Sequence, residues 1–307
     1  MTSSTGPAVT LKDKDLSAIY VSSDLVSGRG QRRTKMSVRT ELLGFIVASI
    51  AGISDYRVGP AQLDILAAIS AVAFAASLVS SAFRAWMKPE RDWYAGRAAA
   101  ESVKTMGWRY AVGGDPFPVP DPNNDASQRY LARLEQVLHE LPETDLSPTP
   151  LNHREITQAM NAVRGSDLHI RRQVYKRDRI EDQLGWYQQR MLTHGRSARS
   201  WLGVTIASSA LGLVAAAVKF FGVIDFDMLG VFASVASAAI AWNQLNQHRT
   251  LAYAYGLAAR ELSIIRDRID QVPDDRWRGF VSDSEDAISR EHAMWLARHG
   301  HPVPPAR

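Results

Sequence analysis

Apolar residues collect in four windows along this chain, and charge is dense almost everywhere between them. The clearest window, Ile65 to Trp86, reads ILAAISAVAFAASLVSSAFRAW and carries no charge before Arg84. At about 1.5 Å of helical rise per residue, that length matches the hydrocarbon core of a bilayer. Trp201 to Ile224 is similar apart from Lys219, near one end, where a long aliphatic stem lets the ammonium reach the interface. Leu42 to Ser54 and Met228 to Trp242 are shorter, and either alone fits a buried core helix as well as a span. Each stands a tight turn from a longer window, with Gly59-Pro60 breaking the first pair and Gly222 to Asp227 the second. The pairing predicts four transmembrane helices arranged as two hairpins. Trp86, Trp201 and Trp242 at window ends fit interfacial aromatic belts, and stand against the competing reading of a soluble bundle.

The polar stretches read as helices too. Gly113-Gly114-Asp115-Pro116 ends a helix that leaves the second window, and a Pro-rich loop follows to Pro122. Ala126 to Leu141 is amphipathic, with Leu131, Leu134 and Leu138 on one stripe. Helical spacing returns between Leu151 and His194, at Ile156, Met160 and Val163 and again at Leu184, Tyr187 and Met191. Ser282 and Glu285 have the spacing of a capping box opening a last helix, which Gly300 and Pro302 would end. No run alternates with period two, so the fold class is all-α: an integral membrane protein with cytoplasmic helical extensions.

The two hairpins look like copies of one unit. Trp93 follows the second window with Ala99-Ala100-Glu101 after it, and Tyr253 follows the fourth with Ala259-Arg260-Glu261 at the same offsets. The expected organisation is a flexible tail 1–15, a first two-helix unit 16–117, a linker and helix 118–152, a second unit 153–272, and a C-terminal helix and tail 273–307.

Charge adds orientation. The net charge of +4 is modest, but basic residues crowd the outer ends of the windows: Arg29, Arg32, Arg33, Lys35 and Arg39, then Arg84, Lys88, Arg91 and Arg97. Arg190, Arg196 and Arg199 precede the third window, and Arg249 and Arg260 follow the fourth. The tips carry Asp55, Asp64, Asp225 and Asp227, with Arg57 the basic exception. The positive-inside rule then puts both tips outside and both termini in the cytoplasm, in the inner (plasma) membrane. A nucleic-acid reader would instead show a basic stripe with aromatics on one element.

Chemistry is sparse. There are no cysteines, and the first ten residues lead into no apolar run of a signal peptide. No phosphate loop, G-x-S-x-G or H-E-x-x-H is present, so no catalytic residues, cofactor or metal are assigned and the protein is not read as an enzyme. His299 and His301 form a pair in a Pro-rich tail that reads as solvated. A lipid-acting enzyme would need polar groups at membrane depth, where Lys219 alone stands. Small residues dominate the second and fourth windows. Ser70, Ser77, Ser80, Ser81, Ser234 and Ser237 either support close helix packing or line a water-containing path, with the acidic tips drawing cations to its mouth. Trp93, Arg97, Glu101 and Trp108 share one helix face by spacing, suited to docking against neighbouring helices or to ligand contact.

The run Trp93, Tyr94, Arg97, Glu101, Ser102, Trp108 and Arg109, with Asp115-Pro116-Phe117 after it, resembles the SLATT domains. These are bacterial two-transmembrane effector domains that associate with nucleotide-second-messenger synthases and SLOG sensors. Upstream, Leu16, Tyr20, Asp24, Ser27 and Gln31 are similar to the motif preceding that family's first hairpin. The second copy resembles a sister subfamily through Tyr175, Arg179, Asp182, Gln183, Trp186 and Tyr187, then Glu261. Leu257 stands where the first copy has Arg97. The resemblance implies a membrane effector that homo-oligomerises into a pore in anti-phage or inter-bacterial conflict. Its signal would come from a partner protein or small-molecule ligand, and Tyr175, Gln183, Trp186, Tyr187 and Glu261 would join the first-copy face in gating or docking. A non-conducting membrane scaffold or sensor is the alternative.

Overall fold

A computed structural model describes residues 9–121, 123–140, 153–224 and 226–298. Asp225, His299, Gly300, His301 and Pro302 lie outside these, as do residues 1–8 of the expected tail, residues 122 and 141–152 of the expected linker and helix, and the C-terminal end of the chain. Ten α-helices are described: α1 Ala18–Ala51, α2 Ile65–Met87, α3 Pro89–Val112, α4 Ala126–Glu140, α5 Gln158–Arg164, α6 Leu168–Val174, α7 Asp182–Phe220, α8 Met228–Asn246, α9 His248–Ile269 and α10 Trp277–Arg298. A π-helical stretch, Tyr175–Glu181, joins α6 to α7. Among the described residues the strand structure is a two-residue pair at the first tip, β1 Arg57–Val58 antiparallel to β2 Leu63–Asp64. Gly59 makes that turn possible, since its φ of +75° lies where a side chain would strain the backbone.

The chain divides into two compact units. One comprises Gln31–Pro89 and Arg190–Tyr253, the other Met1–Gly30, Glu90–Gln189 and Ala254–Arg307.

The first of these is apolar on its outside. Ile65–Met87, Leu168–Phe220 and Met228–Ile269 contain windows long and apolar enough to cross a membrane, of mean hydropathy 2.1, 1.9 and 1.4, and only 6%, 17% and 11% of those windows is buried. Val72, Leu78, Leu213 and Phe220 are each at least 70% exposed. Water would make such surface costly at about 25 cal/mol per Å², so these faces belong against lipid. The window expected at Leu42 to Ser54 is different. Its helix α1 stops at Ala51, and Glu41, Arg39 and Lys35 precede its apolar part, so α1 is not among the three. Within the α1–α2 pair contact is close: a Cβ on Gly44 would lie 2.1 Å from Ser77 Oγ and 2.8 Å from the Ala73 carbonyl.

The other unit holds an aromatic core. Trp108, Tyr110, Phe117, Tyr130, Tyr175 and Trp277 are all buried there, with Leu11, Leu16, Leu134 and Met160. The segment expected as a tail is packed from Val9 onward: Leu11 is buried and its amide donates to Asp178 Oδ2 at 3.1 Å. Gly113, at φ +79°, ends α3 as the sequence suggests. The helix's free carbonyls find side-chain donors, Val112 O accepting from Arg171 Nη1 and Trp277 Nε1, both at 2.9 Å, and Tyr110 O from Arg164 Nη1 at 2.8 Å.

Several sequence expectations shift. On α4 the buried residues are Ala126, Tyr130 and Leu134, whereas Leu131 and Leu138 are exposed, because the aromatic core draws Tyr130 inward. The proposed capping box at Ser282 and Glu285 falls inside α10, which starts at Trp277 after a 3₁₀ turn at Asp274–Arg276. Glu285 is instead committed to an ion pair. The helices leaving the second and fourth windows do not run straight on. Each breaks at one left-handed residue, Lys88 (φ 44°) and Gln247 (φ 45°).

Candidate functional site

On the first exit helix Trp93 and Trp108 are buried, while Arg97 and Glu101 are 31% and 15% exposed. Trp93 is 9% exposed, its carbonyl accepts from Ser27 Oγ at 3.1 Å, and its ring stacks on Tyr94 at 5.0 Å. One turn on, Arg97 pairs with Glu101 at 2.6 Å. Gly96 lets α1 come close, since a Cβ there would meet Ser23 O and Ser27 N at 2.8 Å. Tyr20 adjoins the same charges. Burial, then Asp13, Asp24 and Glu101, push its hydroxyl far above the ordinary tyrosine range, so it stays protonated.

The π-helical stretch meets this face from the second copy. Trp108 contacts Tyr175 edge-on at 6.0 Å, and Tyr175 contacts Trp277 in the same way at 5.9 Å. Tyr175 donates its hydroxyl hydrogen to Glu285 Oε1 at 3.0 Å. Glu285 also receives Arg179 through both oxygens, at 2.9 and 2.7 Å, with the side chains 0% and 1% exposed. Glu101 is near enough for its charge to act on Arg179. Trp108, Tyr175, Arg179 and Glu285 thus form one buried network, on which the charge of the partly buried Glu101 also acts. Arg179 and Glu285, its centre, were outside the predicted set. Arg179 stood in the motif that carried the family resemblance, but nothing local marked Glu285, whose partner is 106 positions away.

The remaining docking residues form a second contact. Trp186 and Tyr187 pack against Tyr255 at 5.3 and 5.7 Å, and Gln183 is buried beside them in sequence. Tyr253, the repeat position matched to Trp93, is 74% exposed. Glu261 is exposed, bordering a small void with Tyr187, Leu262 and Ile288. An open cleft of about 940 Å³ lies between the end of α9 and α10, lined by Asp115, Arg268, Arg276, Arg278 and Phe280 among others.

In the apolar unit, Ser77 is buried and donates to Glu41 O and Ala73 O, both at 3.1 Å, while Ser80 donates to Ser37 O at 2.9 Å. Ser70 reaches Ala48 O at 3.4 Å. Ser81 and Ser234 are partly exposed and Ser237 is exposed. Of the tip acids, Asp64 caps α2 by accepting from Leu66 N and Ala67 N at 2.9 and 3.2 Å, and Asp227 caps α8 by accepting from Leu229 N at 3.1 Å. Asp55 pairs with Arg57 at 3.3 Å, and Lys219 lies 3.7 Å from Asp227.

Two family models match the chain in tandem. Residues 18–172 match SMODS and SLOG-associating 2TM effector domain 3, and residues 175–295 match SMODS and SLOG-associating 2TM effector domain 1. This is a tandem SLATT-domain protein. The boundary between the matches falls where α6 gives way to the π-helical stretch, so the Arg179–Glu285 pair belongs to the second domain and Trp108 to the first. No curated protein and no solved structure matches the chain. Membership together with the exposed apolar helices identifies a membrane protein of the effector class.

Proposed function

We propose that this SLATT protein is a membrane effector that assembles as a homo-oligomer into a channel or pore, gated through its buried helical network, in bacterial conflict or anti-phage signalling. The observation that carries the reading is α7. This one unbroken helix of 39 residues begins at Asp182, directly after the Arg179 network, and ends as one of the apolar spans. A continuous helix is stiff, so a rearrangement around Tyr175 and Arg179 is delivered to the membrane segment rather than absorbed in a loop. The exposed Ser237 and the acidic tips fit a polar path for cations.

In this reading α1 also crosses, making four crossings as two duplicated hairpins, with the basic ends and both termini on the cytoplasmic side of the inner membrane. The chain has no cysteine, so single cysteines placed at the tips and termini report sidedness without background. The signal is a partner protein or a small-molecule ligand, for which the α9–α10 cleft, lined by three arginines and three aspartates, offers room. Ion flux from liposomes holding the purified protein tests the function. Cation leakage above protein-free liposomes is expected, and its absence overturns the channel. The competing reading, a non-conducting scaffold or sensor, draws on Ser70, Ser77 and Ser80, whose hydroxyls bond to α1 carbonyls as packing requires.

A further inference from the structure

The charged ends of the apolar unit have a composition that channel gating does not use. Within that unit, residues 31–40, 88–89, 190–200 and 243–253 contain nine lysines and arginines and no aspartate or glutamate. Three helices bring three of these cations together with two histidines, whose rings burial keeps neutral. Lys35 and Arg39 stand one turn apart on α1, Arg190 and His194 one turn apart on α7, and His248 opens α9. The two histidines meet with their Nδ1 atoms 3.0 Å apart and ring centroids 5.0 Å apart. Lys35 lies near enough to Arg190 and Arg39 to feel their charge, and its own charge reaches both histidines. Burial, then Arg190 and Arg39, hold its amine below the ordinary lysine range.

The position of the cluster is as informative as its sign. Arg39 places its guanidinium carbon 4.8 Å from the Trp242 ring centre, and Trp242 lies 6.4 Å from Trp201. Both tryptophans end apolar windows, at the depth where aromatic rings meet lipid headgroups. His194 precedes Trp201 by seven residues, about 10 Å along α7 on the polar side. Beyond Trp201 the same helix presents Leu202 and Ile206, 56% and 61% exposed, to whatever surrounds it.

We propose that Lys35, Arg39, Arg190, His194 and His248 form a binding site for the phosphate headgroup of an anionic phospholipid. The charges of Lys35, Arg39 and Arg190 repel one another, and a phosphodiester supplies both the negative charge and acceptor oxygens suited to guanidinium and ammonium donors, with the neutral imidazoles as further hydrogen-bond partners. The apolar faces directly beyond the tryptophans give the acyl chains a place to lie, which a free phosphate would not use. Two touching imidazoles could also hold a metal ion, but a divalent cation would have to enter among the charges of Lys35, Arg39 and Arg190. The site rests on membrane insertion and not on conductance, so it stands or falls apart from channel activity.

The test is lipid binding to the delipidated protein in a neutral detergent, read by native mass spectrometry and by thermal shift. The probes are phosphatidylglycerol, phosphatidylcholine of the same chains, and glycerol phosphate. Phosphatidylglycerol is expected to bind and raise the melting temperature, and the other two to do neither. The Lys35→Gln/Arg190→Gln variant should lose roughly thirtyfold in affinity, at about one kcal/mol per basic residue. Arg57→Gln, at the opposite tip, should lose nothing. Lys35→Arg/Arg190→Lys, which keeps the charge, should retain most of the binding and serves if the neutral pair does not fold. Equal binding of phosphatidylcholine, an equal shift with glycerol phosphate, or unchanged affinity in the neutral pair would each overturn the proposal.

Discussion

Glu285 receives both arms of Arg179 at 2.9 and 2.7 Å in a place where neither side chain touches solvent. Removing a charge from water costs several kcal/mol, and the bidentate contact offsets that only while both partners are present. Glu285→Ala is therefore expected to destabilise the helical unit by about 3–5 kcal/mol, because it strands the Arg179 charge. Removing both charges with apolar residues of similar volume, Arg179→Met/Glu285→Leu, should recover most of the loss. Chemical denaturation of the single and double variants in one detergent measures it. A Glu285→Ala variant within half a kcal/mol of the parent would mean that the pair is not the centre of this core.

A second carboxylate is out of balance in the opposite sense. Glu155 accepts from the Ile19 amide at 3.2 Å, and burial raises its pKa despite that bond and the nearby His153. A raised value in the folded state means the group favours folding below its unfolded pKa and loses that contribution as pH rises through the folded one. Above its folded-state pKa the ionised Glu155 thus works against the fold. Glu155→Gln keeps an acceptor for Ile19 and removes the charge. The expected outcome is a higher melting temperature than the parent at pH 7 and a difference that vanishes toward pH 4. A gap that widens in acid would reverse the assignment.

How much of this was readable beforehand depended on the range of the interaction. Three of the four apolar windows, the turns at Gly59 and Gly222 and the stop at Gly113 were legible because each is encoded within a few residues, by hydropathy or by freedom at positive φ. The shared helix face of Trp93, Arg97, Glu101 and Trp108 was legible by spacing, and its two tryptophans are buried while its two charges stay partly exposed. Tyr130 in place of Leu131, and the packing of Tyr255 on Trp186 and Tyr187, were not. Aromatic packing in a core formed from distant segments chose between neighbours with equal claims by pattern. Glu285 read as a capping residue for the same reason. Its local spacing fits a cap, and only the fold brings Arg179 to it. The bends at Lys88 and Gln247 were hidden because neither residue type announces a left-handed backbone.

Two glycines should respond in opposite directions to the same change. Gly96→Ala drives a methyl into Ser23 O and Ser27 N, both backbone atoms 2.8 Å away, so α1 and α3 must separate. A loss of about 1–3 kcal/mol is expected, the range for overpacking a tight contact. Gly28, within α1, has open space where a methyl would stand, with nothing within 4 Å, and Gly28→Ala should gain about 0.5–1 kcal/mol through helix propensity. Thermal melts of the two variants beside the parent decide it. If both lose stability alike, the close crossing of α1 over Gly96 is not what sets the difference.

The serines allow packing and conduction to be separated residue by residue. Ser77 is 2% exposed and its hydroxyl is spent on Glu41 O and Ala73 O, so it has no face to offer a water path. Ser77→Ala should cost about 0.6 kcal/mol, the average for hydrogen bonds between membrane helices, and leave any conductance unchanged. Ser237 is exposed on α8, a helix in which Ala236, Ala238 and Ala239 are buried. In a protein with no native cysteine, Ser237→Cys can be labelled alone with a charged methanethiosulfonate. If Ser237 lines the path, labelling should change cation flux in proportion to modification, while Ser77→Cys should resist the reagent. Flux that responds at position 77 and ignores position 237 would place the path on the wrong face of the hairpins. Flux indifferent to both in a conducting protein would move the path away from the serines altogether.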